Sequence, residues 1–123
     1  MKLRSLLSIT CFTSCFMFLP STVQAIGAIA IDDHVGETDP GYGFSVGYST
    51  KEAAIKRAIE ECRKAGNDNC KMKVWFEGCG AYAASRKYFG VGWGRTQAIA
   101  ESKALQQCSH HRCEIKVSQC DDD

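Results

Sequence analysis

The chain has few of the groups that carry chemistry. Only three histidines occur, His34, His110 and His111, all in segments that read as loops. No serine sits in the Gly-x-Ser-x-Gly setting of a nucleophile elbow, and Ser102 and Lys103 are adjacent rather than spaced as a serine–lysine dyad. Paired carboxylates for glycoside cleavage have to face one cleft. Here the acids divide between a loop (Asp32, Asp33, Glu37, Asp39), helix surfaces (Glu60, Glu61, Glu101) and the Asp121-Asp122-Asp123 end. The spacing of the cysteines is not the Cys-x-x-Cys-like spacing of a zinc site, and His110-His111-Arg112-Cys113 could hold a metal only if Cys113 were a free thiol. The sequence therefore predicts no catalytic residue, no metal site and no cofactor.

Charge of one sign and long apolar runs are scarce too. Lys2 and Arg4, the apolar stretch Leu6 to Leu19 and Val23-Gln24-Ala25 have the order of a secretory signal, so residues 1–25 are expected to leave as a leader. A retained anchor needs about 18 or more apolar residues, and Ser8, Thr10, Thr13 and Ser14 interrupt a shorter run. The 123 residues less those 25 leave 98, one expected domain from Ile26 to Asp123. Losing Lys2 and Arg4 leaves 13 of the 15 basic residues against 14 acidic ones, a net charge of about −1. Such a balance excludes the strong basic field that nucleic acid or an anionic membrane requires.

Cysteine and internal repetition are what the chain does have. Cys62, Cys70 and Cys79 answer Cys108, Cys113 and Cys120. Tyr42, Thr50, Ala54, Ala58, Ile59 and Cys62 match Tyr88, Thr96, Ala100, Ala104, Leu105 and Cys108 at a constant offset of 46. Six cysteines permit fifteen pairings, and the duplication selects among them. Cys62 with Cys70 and Cys108 with Cys113 would be equivalent short bridges, while Cys79 and Cys120 would join the two copies. Loop-entropy reasoning gives the short bridges about 2 to 3 kcal/mol each and the long one about 4. Export would place the chain where such bonds form, and so small a domain needs them.

Ser49-Thr50-Lys51-Glu52 has capping-box spacing, followed by Ala54, Ile55, Ala58, Ile59 and Cys62 at helical intervals and by Gly66 as a left-handed stop. In the second copy Thr96 is the expected cap and the helix should end near Cys108. Six short alternating segments read as strands: Gly27 to Asp32, Tyr42 to Tyr48, Cys70 to Phe76, Gly80 to Ser85, Tyr88 to Trp93 and Arg112 to Gln119. The fold class is thus α+β, two strand-strand-helix-strand repeats giving a sheet of about six strands with two helices. Glycines alternate in Gly41 to Tyr48 and in Gly90 to Gly94, leaving one strand face bare. That face suits a closely packed helix better than a ligand. The aromatics, Tyr42, Phe44, Tyr48, Trp75, Phe76, Phe89 and Trp93, read as core.

The Gly-Ala-Ile-Ala start, Tyr-Ser-Thr-Lys-Glu-Ala-Ala, Ala58-Ile59 before Cys62, Cys70-Lys-Met-Lys-Val-Trp-Phe, Cys79-Gly-Ala-Tyr-Ala and Ala104-Leu105 before Cys108 together resemble the domain of unknown function 4189 family. The resemblance covers essentially the whole segment after the leader. It implies a small exported bacterial protein and brings no catalytic residues with it. The acidic loop before Tyr42 and the triple-aspartate end depart from the family pattern.

The expectation for function is a non-enzymatic, exported module that binds another protein, such as a periplasmic inhibitor or immunity protein against a toxin or cell-wall hydrolase. A secreted effector acting on a host or competing cell is the alternative, and an enzyme of unrecognised mechanism a third. The candidate partner-binding residues are His34, Glu37 and Asp39 in one loop and His110, His111 and Arg112 in the other.

Overall fold

The computed structural model describes residues 25–34 and 38–121. The leader up to residue 24, Glu37, Asp122 and Asp123 lie outside the described residues. The elements run β1 (Ile26–Asp32), β2 (Gly41–Tyr48), α1 (Lys51–Lys64), β3 (Lys71–Glu77), β4 (Cys79–Ser85), β5 (Tyr88–Gly94), α2 (Gln97–Cys108) and β6 (Glu114–Cys120). This is strand, strand, helix, strand, twice. The six strands divide into two three-stranded antiparallel sheets, ordered β2-β1-β3 and β5-β4-β6.

The central strands explain the layering. Successive strand residues face opposite sides, and β1 and β4 are apolar on both. On β1, Ala28 and Ala30 pack on Ala54, Ala58 and Cys62 of α1, while Ile29 and Ile31 face the other sheet. On β4, Ala81 and Ala83 pack on Ala100, Ala104 and Cys108 of α2, while Tyr82 and Ala84 face back toward Ile29 and Ile31. Small side chains thus admit a helix on the outside and large ones fill the space between the sheets, so the order of layers is helix, sheet, sheet, helix. The edge strand β2 lies near β6, and β3 near β5.

The bare glycine face is where the helices sit. A methyl group at Gly43 would collide with the carbonyl of Ala58, one at Gly90 with that of Ala104 and one at Gly92 with that of Ala100. The helix starts are set by threonines: Thr50 Oγ1 accepts from Ala53 N at 3.1 Å and Thr96 Oγ1 from Ile99 N at 3.2 Å. The first cap is therefore Thr50 and not Ser49, which leaves Glu52 one position short of a reciprocal capping partner. After α1, Gly66 takes φ +97°, and α2 ends on Ser109 at φ +56°.

Three disulfides link Cys62 to Cys70, Cys108 to Cys113 and Cys79 to Cys120. The first two join a helix end to the following strand region. The third pairs facing residues of β4 and β6, so it closes the second sheet on itself and does not join the two copies. Its counterpart in the first sheet is the unbridged pair Ile26 and Glu77. Beyond it, Asp121 is tied down, donating its N–H to Gly78 O at 2.8 Å.

Trp75 and Trp93 are not core residues. They stand on edge strands β3 and β5 with 40% and 45% of their surface exposed. Lys51 Nζ lies 4.9 Å from the Trp75 ring centre and Lys103 Nζ 5.8 Å from that of Trp93. Tyr42, Phe44 and Phe89 do pack between the sheets, and Tyr48 packs beneath α1.

Candidate partner-binding site

The connection from β1 to β2 is fixed at both ends. Asp32, 3% exposed, accepts from His34 N at 2.9 Å and from Asn69 N at 3.1 Å. The Asn69 N–H, followed by that of His34, holds its carboxyl below the usual carboxylate range. At the far end Tyr82, fully buried on β4, donates its hydroxyl to Pro40 O at 2.6 Å, with its ring 4.7 Å from that of Tyr42. Burial pushes the Tyr82 phenol well above its ordinary range, so it stays a donor.

Two lysines engage the acids of this loop. In each sheet the register slips by one residue, at Lys73 of β3 and at the equivalent Lys116 of β6, a bulge that re-aims the extra side chain. Lys73 Nζ stands 3.7 Å from Asp33 Oδ2, and Lys116 Nζ 3.0 Å from Asp39 Oδ2 and 3.7 Å from Glu114 Oε2. The hydrogen bond with Asp39 holds the Lys116 ammonium above its ordinary range. With side chains 29% and 43% exposed, the Lys116 and Asp39 pair positions the loop more than it stabilises the fold.

The second candidate loop is a small ring. The Cys108 to Cys113 bridge encloses Ser109, His110, His111 and Arg112. Inside it Cys113 N donates to His110 O at 3.0 Å, Arg112 N to His110 Nδ1 at 3.2 Å and Ser109 Oγ to Gln106 O at 2.8 Å. Because Nδ1 accepts, a neutral His110 carries its proton on Nε2. Its ring stacks on Tyr88 with centres 4.4 Å apart and 15° between planes, and His111 follows at 4.5 Å. Tyr88 opens β5, so the stack seats the ring loop on the β4–β5 turn.

These parts meet in one open depression of about 570 Å³, at the end of the second sheet where β4 finishes and β5 and β6 begin. Its lining includes Asp39 and Lys116, then Arg86, Lys87 and Tyr88 of the turn, and His110, His111 and Arg112. The Asp39 and Lys116 pair is also a saddle, lining a second depression of about 580 Å³ that runs along Tyr42 and Phe44 toward Glu61 and Asn67. Asp39, His110, His111 and Arg112 are thus brought together. His34 is not: it lies at the other end of its loop, with Nε2 3.6 Å from Asp33 Oδ1. Sequence reasoning overlooked Arg86, Lys87, Tyr88, Glu114 and Lys116. The tight turn Ser85 to Tyr88 between two alternating segments was the available signal, because it marks the sheet end that the 109–112 loop also reaches.

All six cysteines of the two triplets are in disulfides. Among the described residues no His, Cys, Asp and Glu cluster is placed to hold a metal ion, and no helix is long and apolar enough to cross a membrane.

The sequence is similar to three curated mycobacterial proteins, Protein Mb1300c of Mycobacterium bovis and Proteins MT1307 and Rv1269c of Mycobacterium tuberculosis. Each is 38% identical over 64 residues, 52% of this chain and 49% of the relative. The chain thus spans about half the length of the curated relatives it matches. No solved structure matches it. The family model described as "Domain of unknown function (DUF4189)" matches residues 26–120, from the first residue of β1 to the last of β6, and the chain belongs to that family.

Proposed function

We propose that the protein is a non-enzymatic, exported module that binds another protein, acting as an inhibitor or immunity protein in the periplasm. The observation that carries this reading is the meeting of Asp39 with the disulfide-closed loop 109–112 in a single open depression. A loop already fixed by a bridge, by its own hydrogen bonds and by a ring stack has little conformational freedom left to lose on binding, which is how a small scaffold gains affinity. Three disulfides favour an oxidising compartment and hence export.

The test is capture of endogenous partners from periplasm and culture medium by the protein and by a His110→Ala/His111→Ala/Arg112→Ala variant that keeps all cysteines. A periplasmic hydrolase or toxin retained by the parent and lost by the variant supports the reading. Equal retention by both removes the groove from it. The protein recovered alone from medium of unlysed cells replaces it with the secreted effector.

A further inference from the structure

We infer that the depression between the β4–β5 turn and the 109–112 loop receives an acidic peptide segment of the partner, gripped by Arg86 and Arg112; the inference rests on the protein-binding reading. Among the described residues, four side chains of positive charge, Arg86, Lys87, Arg112 and Lys116, and two carboxylates, Asp39 and Glu114, line the depression. Arg86 and Arg112 thus add positive charge to the depression on a chain whose part after the leader carries about one net negative charge. Both carboxylates are already within 3.0 to 3.7 Å of Lys116 Nζ. Arg86 and Arg112 are exposed, and no described carboxylate forms an ion pair with either.

Two guanidiniums with no ion-pair partner among the described residues, carried on backbones that are held in place, are a receptor for carboxylates, which they can meet with two parallel N–H bonds. Arg112 is held by the ring that the Cys108 to Cys113 bridge closes and by its N–H bond to His110 Nδ1. Arg86 belongs to the two-residue turn directly before Tyr88, on which His110 stacks. The stacked rings of Tyr88 and His110 add a flat wall to the same depression. The saddle to the second depression, along Tyr42 and Phe44, offers an extended segment a path beyond the charged end. A polymer such as nucleic acid is disfavoured, since the part of the chain after the leader carries about one net negative charge.

The test uses the protein from Ile26 to Asp123 with its disulfides formed. The probe is a fluorescein-labelled glutamate-rich peptide followed by anisotropy, beside a matched peptide with Gln at every Glu. Saturable binding of the first peptide and none of the second is expected. Arg86→Ala and Arg112→Ala should each weaken it about tenfold. Arg86→Glu/Arg112→Glu should abolish it and turn the preference to a lysine-rich peptide, while Lys56→Glu on the exposed face of α1 leaves it unchanged. Both arginines are exposed, so unchanged thermal melts serve as the folding control.

Binding that is absent, or equal in the parent and the double-glutamate variant, overturns the inference. So does displacement by free citrate or heparin at lower concentration than the peptide, which would assign the groove to a small anion or a polysaccharide. Capture of the natural partner separates the two levels. A partner held equally by the parent and by Arg86→Glu/Arg112→Glu leaves protein binding standing and sinks the acidic segment, whereas a parent that captures no protein sinks both.

Discussion

The hydroxyl of Tyr82 on β4 donates to the carbonyl of Pro40 at 2.6 Å, joining the second repeat to the loop that leads into the first repeat's edge strand. Both groups are buried. Tyr82 occupies the layer between the sheets while its polar tip sets the loop end that delivers Asp39 to the depression.

Tyr82→Phe removes the donor without emptying the space. A buried carbonyl left without a partner loses about 1 to 3 kcal/mol, so the variant should unfold at lower urea with an unchanged slope. It should also weaken partner binding through a less well placed Asp39. Equal urea midpoints would show that water replaces the phenol at Pro40.

Glycine at the helix contact leads to a second expectation. Gly92→Ala puts a methyl group against the Ala100 carbonyl, and overpacking of this kind destabilises by about 1 to 3 kcal/mol. Gly90→Ala should behave alike, against the carbonyl of Ala104. Thermal melts of both beside Lys56→Ala, an exposed helix substitution, make the comparison. Two variants as stable as the parent would mean that α2 slides on its sheet without loss.

The glycine stripes, the two helices with the Thr96 cap and the offset of 46 were legible because each is local or periodic, whereas the first cap was read one residue early, at Ser49 instead of Thr50. The division into two sheets was not. All six segments alternate in the same way, and which strands pair is decided by contacts far apart in sequence. A hint lay in Ala28-Ile29-Ala30-Ile31, apolar on both faces, which requires a cover on each side of the strand. Trp75 and Trp93 were read as core because strand aromatics usually are, yet both stand on sheet edges. The loop 109–112 and Asp39 were legible as candidates one by one, but their meeting depends on where β4 ends. For the same reason Arg86 went unseen, and His34 was grouped with Asp39 although the loop carries the two to opposite ends.

The long bridge and the ring bridge should fail differently. Cys79→Ala/Cys120→Ala opens a loop of 41 residues and on loop-entropy grounds loses about 4 kcal/mol, whereas Cys108→Ala/Cys113→Ala opens one of 5 and loses about 2. For partner binding the order should reverse, because only the second pair holds His110 to Arg112 in place. Urea midpoints and affinities measured on the same two proteins check both orders. A ring variant that binds like the parent would refute the view that the bridge prepares the loop.

Asp32 makes stability depend on acid. Its carboxylate accepts from Asn69 N and His34 N, so its pKa in the folded chain lies below that in the unfolded chain, about 3.9 for an unperturbed aspartate. The sign follows from linkage. Above the unfolded value both states are ionised and the stabilisation is fully present; as pH falls through the lower, folded value, the folded chain takes up the proton as well and the stabilisation is lost. Asp32→Asn turns an amide toward two N–H donors and cannot titrate. The parent should therefore melt higher than the variant at pH 7, and the gap should narrow once pH drops below about 4. Thermal melts from neutral to strongly acid pH decide it, and a gap of constant size would show that the turn is held by the shape of the side chain rather than by its charge.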